Sequence, residues 1–152
     1  MKHFEDFNLK NTTLDFINKN GFVDPTPIQE EVIPPVLKGK DIIGISKTGS
    51  GKTHAYLIPI MEMVDSSSNR PFAVITAPTR ELAVQIYEKA SVLQEVDKNI
   101  RIQLYVGGKD RIKDIKQLES QQPHIVIGTP GRMKDLFLDE GKLRIDEAKM
   151  LV

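Results

Sequence analysis

Apolar residues recur along the 152-residue chain with two periods, and the periods alternate. Positions three and four apart mark one face of a helix, and short unbroken apolar runs mark strands buried on both faces. The helical period appears over residues 9–20, where Leu14 and Ile17 share a face and Gly21 is the stop. It returns at Ile28, Val32, Ile33, Val36 and Leu37, ahead of a break at Gly39. Residues 42–45, Ile-Ile-Gly-Ile, form an apolar run of strand type, and residues 55–61 are helix-like. After a polar stretch over 65–71, residues 72–77 predict a buried strand stopped by Pro78. A helix to about residue 96 follows, with Leu82, Ile86, Ala90 and Leu93 as its core stripe. Residues 100–106 alternate as a strand ending at Gly107-Gly108, residues 112–118 are helical, and residues 125–127 are another buried strand. A helix from Met133 to about Leu138 comes next, and Met150-Leu151-Val152 begins a further strand. Strands alternating with helices predict an α/β fold, a three-layer parallel sheet with right-handed crossovers.

Composition narrows the function classes. The length suits one domain. Lys plus Arg and Asp plus Glu are both 21, so there is no global positive field and any nucleic-acid contact must be local. With no cysteine there is no disulfide framework and no thiolate metal site. His3, His54 and His124 lack metal-ligand spacing. The acidic N-terminus has no apolar signal core and no segment is long enough to cross a bilayer, so a cytoplasmic protein without membrane partners is expected.

The candidate chemistry centres on Ser46-Lys47-Thr48-Gly49-Ser50-Gly51-Lys52-Thr53, between the apolar run at 42–45 and the following helix. Glycines at a strand-to-helix junction let consecutive backbone N–H groups turn inward on phosphate oxygens. Lys52 is then placed to reach the terminal phosphates, and the Thr53 hydroxyl to ligate Mg²⁺. Ser46 stands where the usual phosphate-loop pattern begins with glycine, so this is a variant loop. Upstream, Thr26, Pro27 and Gln29 have two readings. They match a capping box, with threonine as N-cap and glutamine three residues on. A glutamine amide can also donate to and accept from the N6/N7 edge of adenine, which beside a phosphate loop would select adenine over guanine.

In parallel α/β sheets, ligands gather at the carboxyl ends of the strands. That rule puts residues 46–53, 78–80, 107–109 and 129–132 on one rim, each with Gly, Thr or a basic residue at a helix entrance. One loop holding nucleotide leaves three for another ligand with repeating phosphates, and a nucleic-acid backbone is the candidate. The plainer reading makes Thr79 and Thr129 N-caps, Gly107-Gly108 a turn, and Arg80 and Arg132 solvated.

These residues, in this order, resemble the first RecA-like domain of a DEAD-box ATP-dependent RNA helicase, a P-loop NTPase fold. The family's Q motif matches Gly21-Phe22 through Thr26-Pro27-Ile28-Gln29, with its upstream aromatic on Phe4, seventeen positions before Gly21. Motif I matches residues 46–53, motif Ia matches Pro78-Thr79-Arg80-Glu81-Leu82-Ala83-Val84-Gln85, the Gly-Gly motif matches Gly107-Gly108, and motif Ib matches Thr129-Pro130-Gly131-Arg132. The resemblance implies that Gln29 reads adenine, Phe4 stacks on it, and Phe22 and Thr26 complete the pocket. It implies also that Lys52 and Thr53 serve catalysis, and that Pro78, Thr79, Arg80, Gly107, Gly108, Thr129, Pro130, Gly131 and Arg132 hold RNA backbone without sequence specificity. ATP and Mg²⁺ are the implied cofactors, and a second RecA-like domain of the same parent chain is an implied partner. The family's Asp-Glu-Ala-Asp strand would start at Met150-Leu151-Val152, so residues 1–152 are expected to be one ATP-binding domain, incomplete at its C-terminus and without turnover. A non-catalytic nucleotide-binding module and another P-loop nucleic-acid translocase are the alternatives.

Overall fold

A computed structural model describes residues 2–108 and 110–152, and the chain folds as two units, Met1–Met63 and Val64–Val152. Lys109, expected in one of the rim loops, lies outside the described residues.

The first unit is helical. A 3-10 turn at Phe4–Phe7 precedes α1 (Asn11–Lys19), α2 (Pro27–Leu37) and α3 (Lys52–Met63), and α3 packs against both α1 and α2. Phe16, Ile17 and Ile33 are buried on α1 and α2, while α3 is buried along most of its length from His54 to Met61. Burying each such Ile, Leu or Phe side chain contributes about 1.5–3 kcal/mol relative to leaving it exposed. Glu62 ties the ends together: one of its carboxylate oxygens accepts from Lys10 N–H and from the Thr13 hydroxyl, both at 2.8 Å. Pro34 and Pro35 lack the N–H that would close a helical bond, and α2 ends two residues after them, with Gly39 at φ +81°. The expected strand at 42–45 does not form. Ile43 and Ile45 are 91% and 88% exposed, and a run of strand type becomes a strand only when a neighbour accepts its ladder of N–H and C=O groups. Among the described residues of this unit there is no strand to pair with it. Gly44 instead faces α2, where an added Cβ would touch Ile28 and Val32 at 3.5 and 3.6 Å.

The second unit carries the sheet. β1 (Ala73–Thr76), β2 (Ile102–Tyr105), β3 (Ile125–Gly128) and β4 (Met150–Leu151) are all parallel, in the order β2-β3-β1-β4. Register aligns Thr76 with Gly128 and Tyr105 with Gly128, so three strands end level. Their helical connections are α4 (Arg80–Ala90), α5 (Leu93–Val96), α6 (Arg111–Ser120) and α7 (Pro130–Lys134), the last continuing as a π-helical turn at Asp135–Asp139. Val74, Tyr105 and Val126 pack on Leu118, Met133, Leu136 and Leu143 on one face. α4 lies over β2 and β3 and enters none of that cluster, so it covers the other face and completes the three-layer α/β arrangement. Leu82, expected in the core, is 41% exposed while Ala83 is buried in its place. Leu82 lies in the first turn of α4, where a side chain leans toward the helix N-terminus, and it is left open to solvent. The single expected helix to about residue 96 is also divided at Ser91-Val92 into α4 and α5.

Candidate functional site

The phosphate loop is built on two left-handed glycines. Gly49 and Gly51 sit at φ +82° and +92°, a conformation L side chains rarely adopt, and the loop turns directly into α3 at Lys52. Lys52 Nζ donates to the Ser46 carbonyl oxygen at 2.6 Å, and the Ser46 and Ser50 hydroxyls bond to each other, closing the loop upon itself. First-turn N–H groups of a helix have no carbonyl one turn earlier within the helix, so the start of α3 is a donor-rich, electropositive end beside an ammonium group. Tyr56 lies one turn beyond Thr53. Burial raises its phenol above the ordinary value, opposed by a hydrogen bond from the Thr53 side chain.

Gln29 performs the capping role and reaches the loop as well. Its Oε1 accepts from Thr26 N–H at 3.0 Å, its own N–H donates to Thr26 Oγ1 at 3.4 Å, and its Nε2 donates to the Gly51 carbonyl at 3.2 Å. The amide is 2% exposed. A Cβ on Gly51 would sit 2.6 Å from Nε2 and 2.8 Å from Thr26 Oγ1, so the glycine is required twice, by φ and by this close approach. Phe22 packs edge-on against His54 with ring centroids 4.7 Å apart. Phe4 is buried edge-on against Phe7, so its ring serves packing in this structure. The turn before α2 is tied to the N-terminal segment by the His3–Asp24 ion pair at 2.6 Å, which raises the His3 pKa through that hydrogen bond.

In the second unit the carboxyl ends of β1, β2 and β3 present three loops side by side. Pro78, Thr79, Arg80, Gly107, Gly108, Pro130 and Gly131 are exposed, and Thr129 is half-buried. Thr79 caps α4, its hydroxyl accepting from Leu82 N–H at 3.2 Å. Thr129 is the N-cap residue of α7 by position but makes no side-chain capping bond. Arg80 crosses to the neighbouring loop, where Nη1 donates to the Gly107 carbonyl at 3.4 Å and would lie 2.6 Å from a Cβ on Gly108. Arg132 differs from the rest: it is drawn beneath the surface, where Nη1 meets Asp114 Oδ2 at 3.1 Å.

A family model described as DEAD/DEAH box helicase matches residues 26–152, from the α2 cap through the loops of both units to the last strand. The chain belongs to the DEAD/DEAH box helicase family. It is 45% identical over 151 residues to a DEAD-box ATP-dependent RNA helicase CshB of Bacillus subtilis strain 168, covering 98% of this chain and 34% of that protein. An ATP-dependent RNA helicase CshA of Limosilactobacillus reuteri is 43% identical over 149 residues, covering 98% and 29% respectively. A crystal structure of a DEAD box protein from the hyperthermophile Methanococcus jannaschii superposes with a TM-score of 0.88 at 38% identity, over 98% of this chain and 40% of that one. The chain thus spans about a third of the length of the curated relatives it matches. No helix among the described residues is long and apolar enough to cross a membrane.

Within this DEAD/DEAH box chain, the structure brings the sequence-selected residues into two sets, described separately because they belong to separate units. Thr26, Gln29 and Ser46 to Thr53 form one, and Thr79, Arg80, Gly107, Gly108 and Thr129 to Gly131 the other. Two Asp-Glu pairs follow apolar residues, Asp139-Glu140 and Asp146-Glu147. The first closes the π-helical turn and the second lies in an exposed turn, so neither stands at the end of a strand. Sequence reading passed over Asp114, Arg111 and Asp135. Arg111 Nε donates to Asp135 Oδ2 at 2.6 Å and Nη2 to Oδ1 at 3.1 Å, and Nη2 also bonds Glu140. These bonds raise the Arg111 pKa and lower that of Asp135. A signal was present in the repeated Arg-x-x-Asp spacing of Arg111/Asp114 and Arg132/Asp135, which puts opposite charges on one face of each helix.

Proposed function

We propose that the chain is the ATP-binding and RNA-backbone-binding part of an ATP-dependent RNA helicase that separates short RNA duplexes or remodels RNA–protein complexes. The observation that carries the proposal is the closed loop in which Gly51 sits between Gln29 and the first turn of α3, so that one buried amide senses a phosphate-loop glycine. The residues present fit a nucleotide. Two left-handed glycines give a backbone cradle, Lys52 supplies an ammonium group already held across it, and the Thr53 hydroxyl supplies an oxygen ligand. Among the described residues no group of three His, Cys, Asp or Glu side chains is gathered for a metal, so Thr53 and the nucleotide's own phosphates would hold Mg²⁺. Bound Mg²⁺ would neutralise charge on the phosphates.

Each residue then has a task. Lys52 exchanges the Ser46 carbonyl for phosphate oxygen. The Gln29 amide retains one N–H and one lone pair beyond those engaged here, which suits the two-point edge of adenine. Phe22 stands in the segment that leads to the α2 cap. Thr79, Arg80, Gly107, Gly108, Thr129, Pro130 and Gly131 bind the sugar–phosphate backbone through hydroxyls, a guanidinium and main-chain N–H groups, without reading bases. The parent protein adds a second RecA-like domain, works in the cytoplasm, and hydrolyses ATP. This chain binds nucleotide without turnover, because its Asp-Glu pairs lie away from strand ends where a phosphate-facing carboxylate is needed.

Calorimetric titration of the purified chain with Mg-ADP, Mg-ATP and Mg-GDP tests the proposal. Adenine nucleotides should bind in preference to GDP, and Lys52→Ala should weaken binding about 10- to 150-fold, the worth of one charge-assisted hydrogen bond. Equal heats for ADP and GDP, or an unaffected Lys52→Ala variant, would remove the basis of the reading.

A further inference from the structure

Four charged side chains join the helices that follow two of the rim loops. α6 begins three residues after Gly108 and α7 directly after Thr129. Arg111 of α6 reaches the first residue of the π-helical turn, Asp135, with a side-on pair of hydrogen bonds, and Arg132 of α7 reaches back to Asp114 of α6. Each partner gives one arginine and takes one, three residues apart on both sides. Such a double pairing fixes the sliding and the rotation of one helix against the other, whereas a single ion pair fixes neither. β2 is linked to the same place: the buried Tyr105 donates its phenol to Gln117 of α6 at 3.4 Å, and Tyr105 O accepts the Thr129 N–H at 3.1 Å. Arg132 and Asp114 side chains are only 12% and 14% exposed, so a phosphate approaching from solvent meets the loops before it meets this guanidinium.

We propose that Arg132–Asp114 and Arg111–Asp135 form a reciprocal clasp that sets the spacing between the Gly107-Gly108 and Thr129-Gly131 loops for an RNA backbone, Arg132 being a positioning residue and not a phosphate ligand. This rests on the RNA-backbone reading above. The clasp makes a prediction of sign that simple electrostatics reverses. Asp114→Asn removes a negative charge beside the rim and loosens Arg132, so if charge alone governed binding RNA would bind more tightly. The clasp requires weaker binding, because the loops lose their fixed separation.

The test is fluorescence anisotropy with a labelled ten-nucleotide oligouridine across a series of KCl concentrations, on the unmutated chain, Asp114→Asn, Arg132→Gln and the exchange Asp114→Arg/Arg132→Asp. Thermal melts of each accompany it. The expected result is about tenfold weaker binding for both single variants, within the range for coupled buried pairs. The slope of log K against log salt should stay unchanged, and the exchange should recover most of the affinity. Tighter or unchanged binding by Asp114→Asn, or a slope reduced by about 0.7 in Arg132→Gln, the signature of one lost phosphate contact to a single strand, overturns the proposal. So does affinity that falls only where the melt shows the variant unfolding at the assay temperature, which would make the pairs general supports of the fold. If the unmutated chain fails to bind oligouridine at all, the RNA reading itself falls and the clasp falls with it.

Discussion

Gln29→Glu separates the two roles of one amide. The carboxylate can still accept from Thr26 N–H, so the capping bond at 3.0 Å survives, but it has no N–H to give the Gly51 carbonyl 3.2 Å from the present nitrogen. Losing that hydrogen bond costs about 1 kcal/mol net. Gly51 O keeps its bond from Ala55 N–H at 3.1 Å, so it is not orphaned. Placing an anion against a carbonyl oxygen at a site 2% exposed adds about 1–2 kcal/mol, part of which is relieved if the side chain takes up a proton. The sum, about 2–3 kcal/mol, corresponds to a melting temperature lower by roughly 4–12 °C for a chain of this size. The introduced carboxyl has its pKa raised on folding, so it is protonated in the native state before it is in the unfolded chain, and the penalty shrinks on acidification. Scanning calorimetry at pH 8 and pH 5 reads both effects, and ADP titration should show weakened binding because the lost partner belongs to the phosphate loop. If Gln29→Glu melts within about 1 °C of the parent at pH 8 and binds ADP equally well, the amide is a helix cap and nothing more.

Three further outcomes follow from the same geometry. Gly128→Ala would drive a Cβ into the Tyr105 carbonyl oxygen at the end of β2, backbone that cannot swing aside, so a loss of about 3 kcal/mol or more is expected in urea unfolding. His124 is fully buried and neutral, with Nδ1 accepting from Arg101 N–H at 2.9 Å and Nε2–H donating to Ser68 O at 2.7 Å, and burial lowers its pKa. The unfolded chain therefore protonates first, and stability present above about pH 6.5 should be lost as pH falls below it, a slope that His124→Gln should flatten. His3, whose pKa Asp24 raises, acts with the opposite sign: its contribution is full below about pH 6.5 and is lost as pH rises through the raised value. Thermal melts of His3→Ala across pH 5.5–8 should thus lose the decline in stability above about pH 6.5 while keeping the His124 slope below it.

The order of strands and helices was legible because period is a local property: residues 72–77 and 125–127 have the pattern of buried strands, residues 100–106 that of an alternating one, and β1, β2 and β3 lie there. The phosphate-loop glycines were legible for a related reason, since a positive φ at Gly49 and Gly51 is a demand of the turn itself. The chemistry of Gln29 admits both cap and ligand because both use the same amide, and its bonds to Thr26 and to Gly51 coexist. What the chain alone could not decide were matters of partnership between distant residues. Residues 42–45 have the composition of a strand and no strand within their own unit among the described residues, Leu82 has core chemistry and an exposed place in the first turn of α4, and Phe4 is spent on packing. Arg132 has the chemistry of a phosphate ligand, yet an aspartate eighteen residues earlier in the chain lies 3.1 Å away and draws it inward. Propensity and turn geometry act over a few residues, whereas burial and charge pairing depend on which segments meet, and only the folded arrangement fixes that.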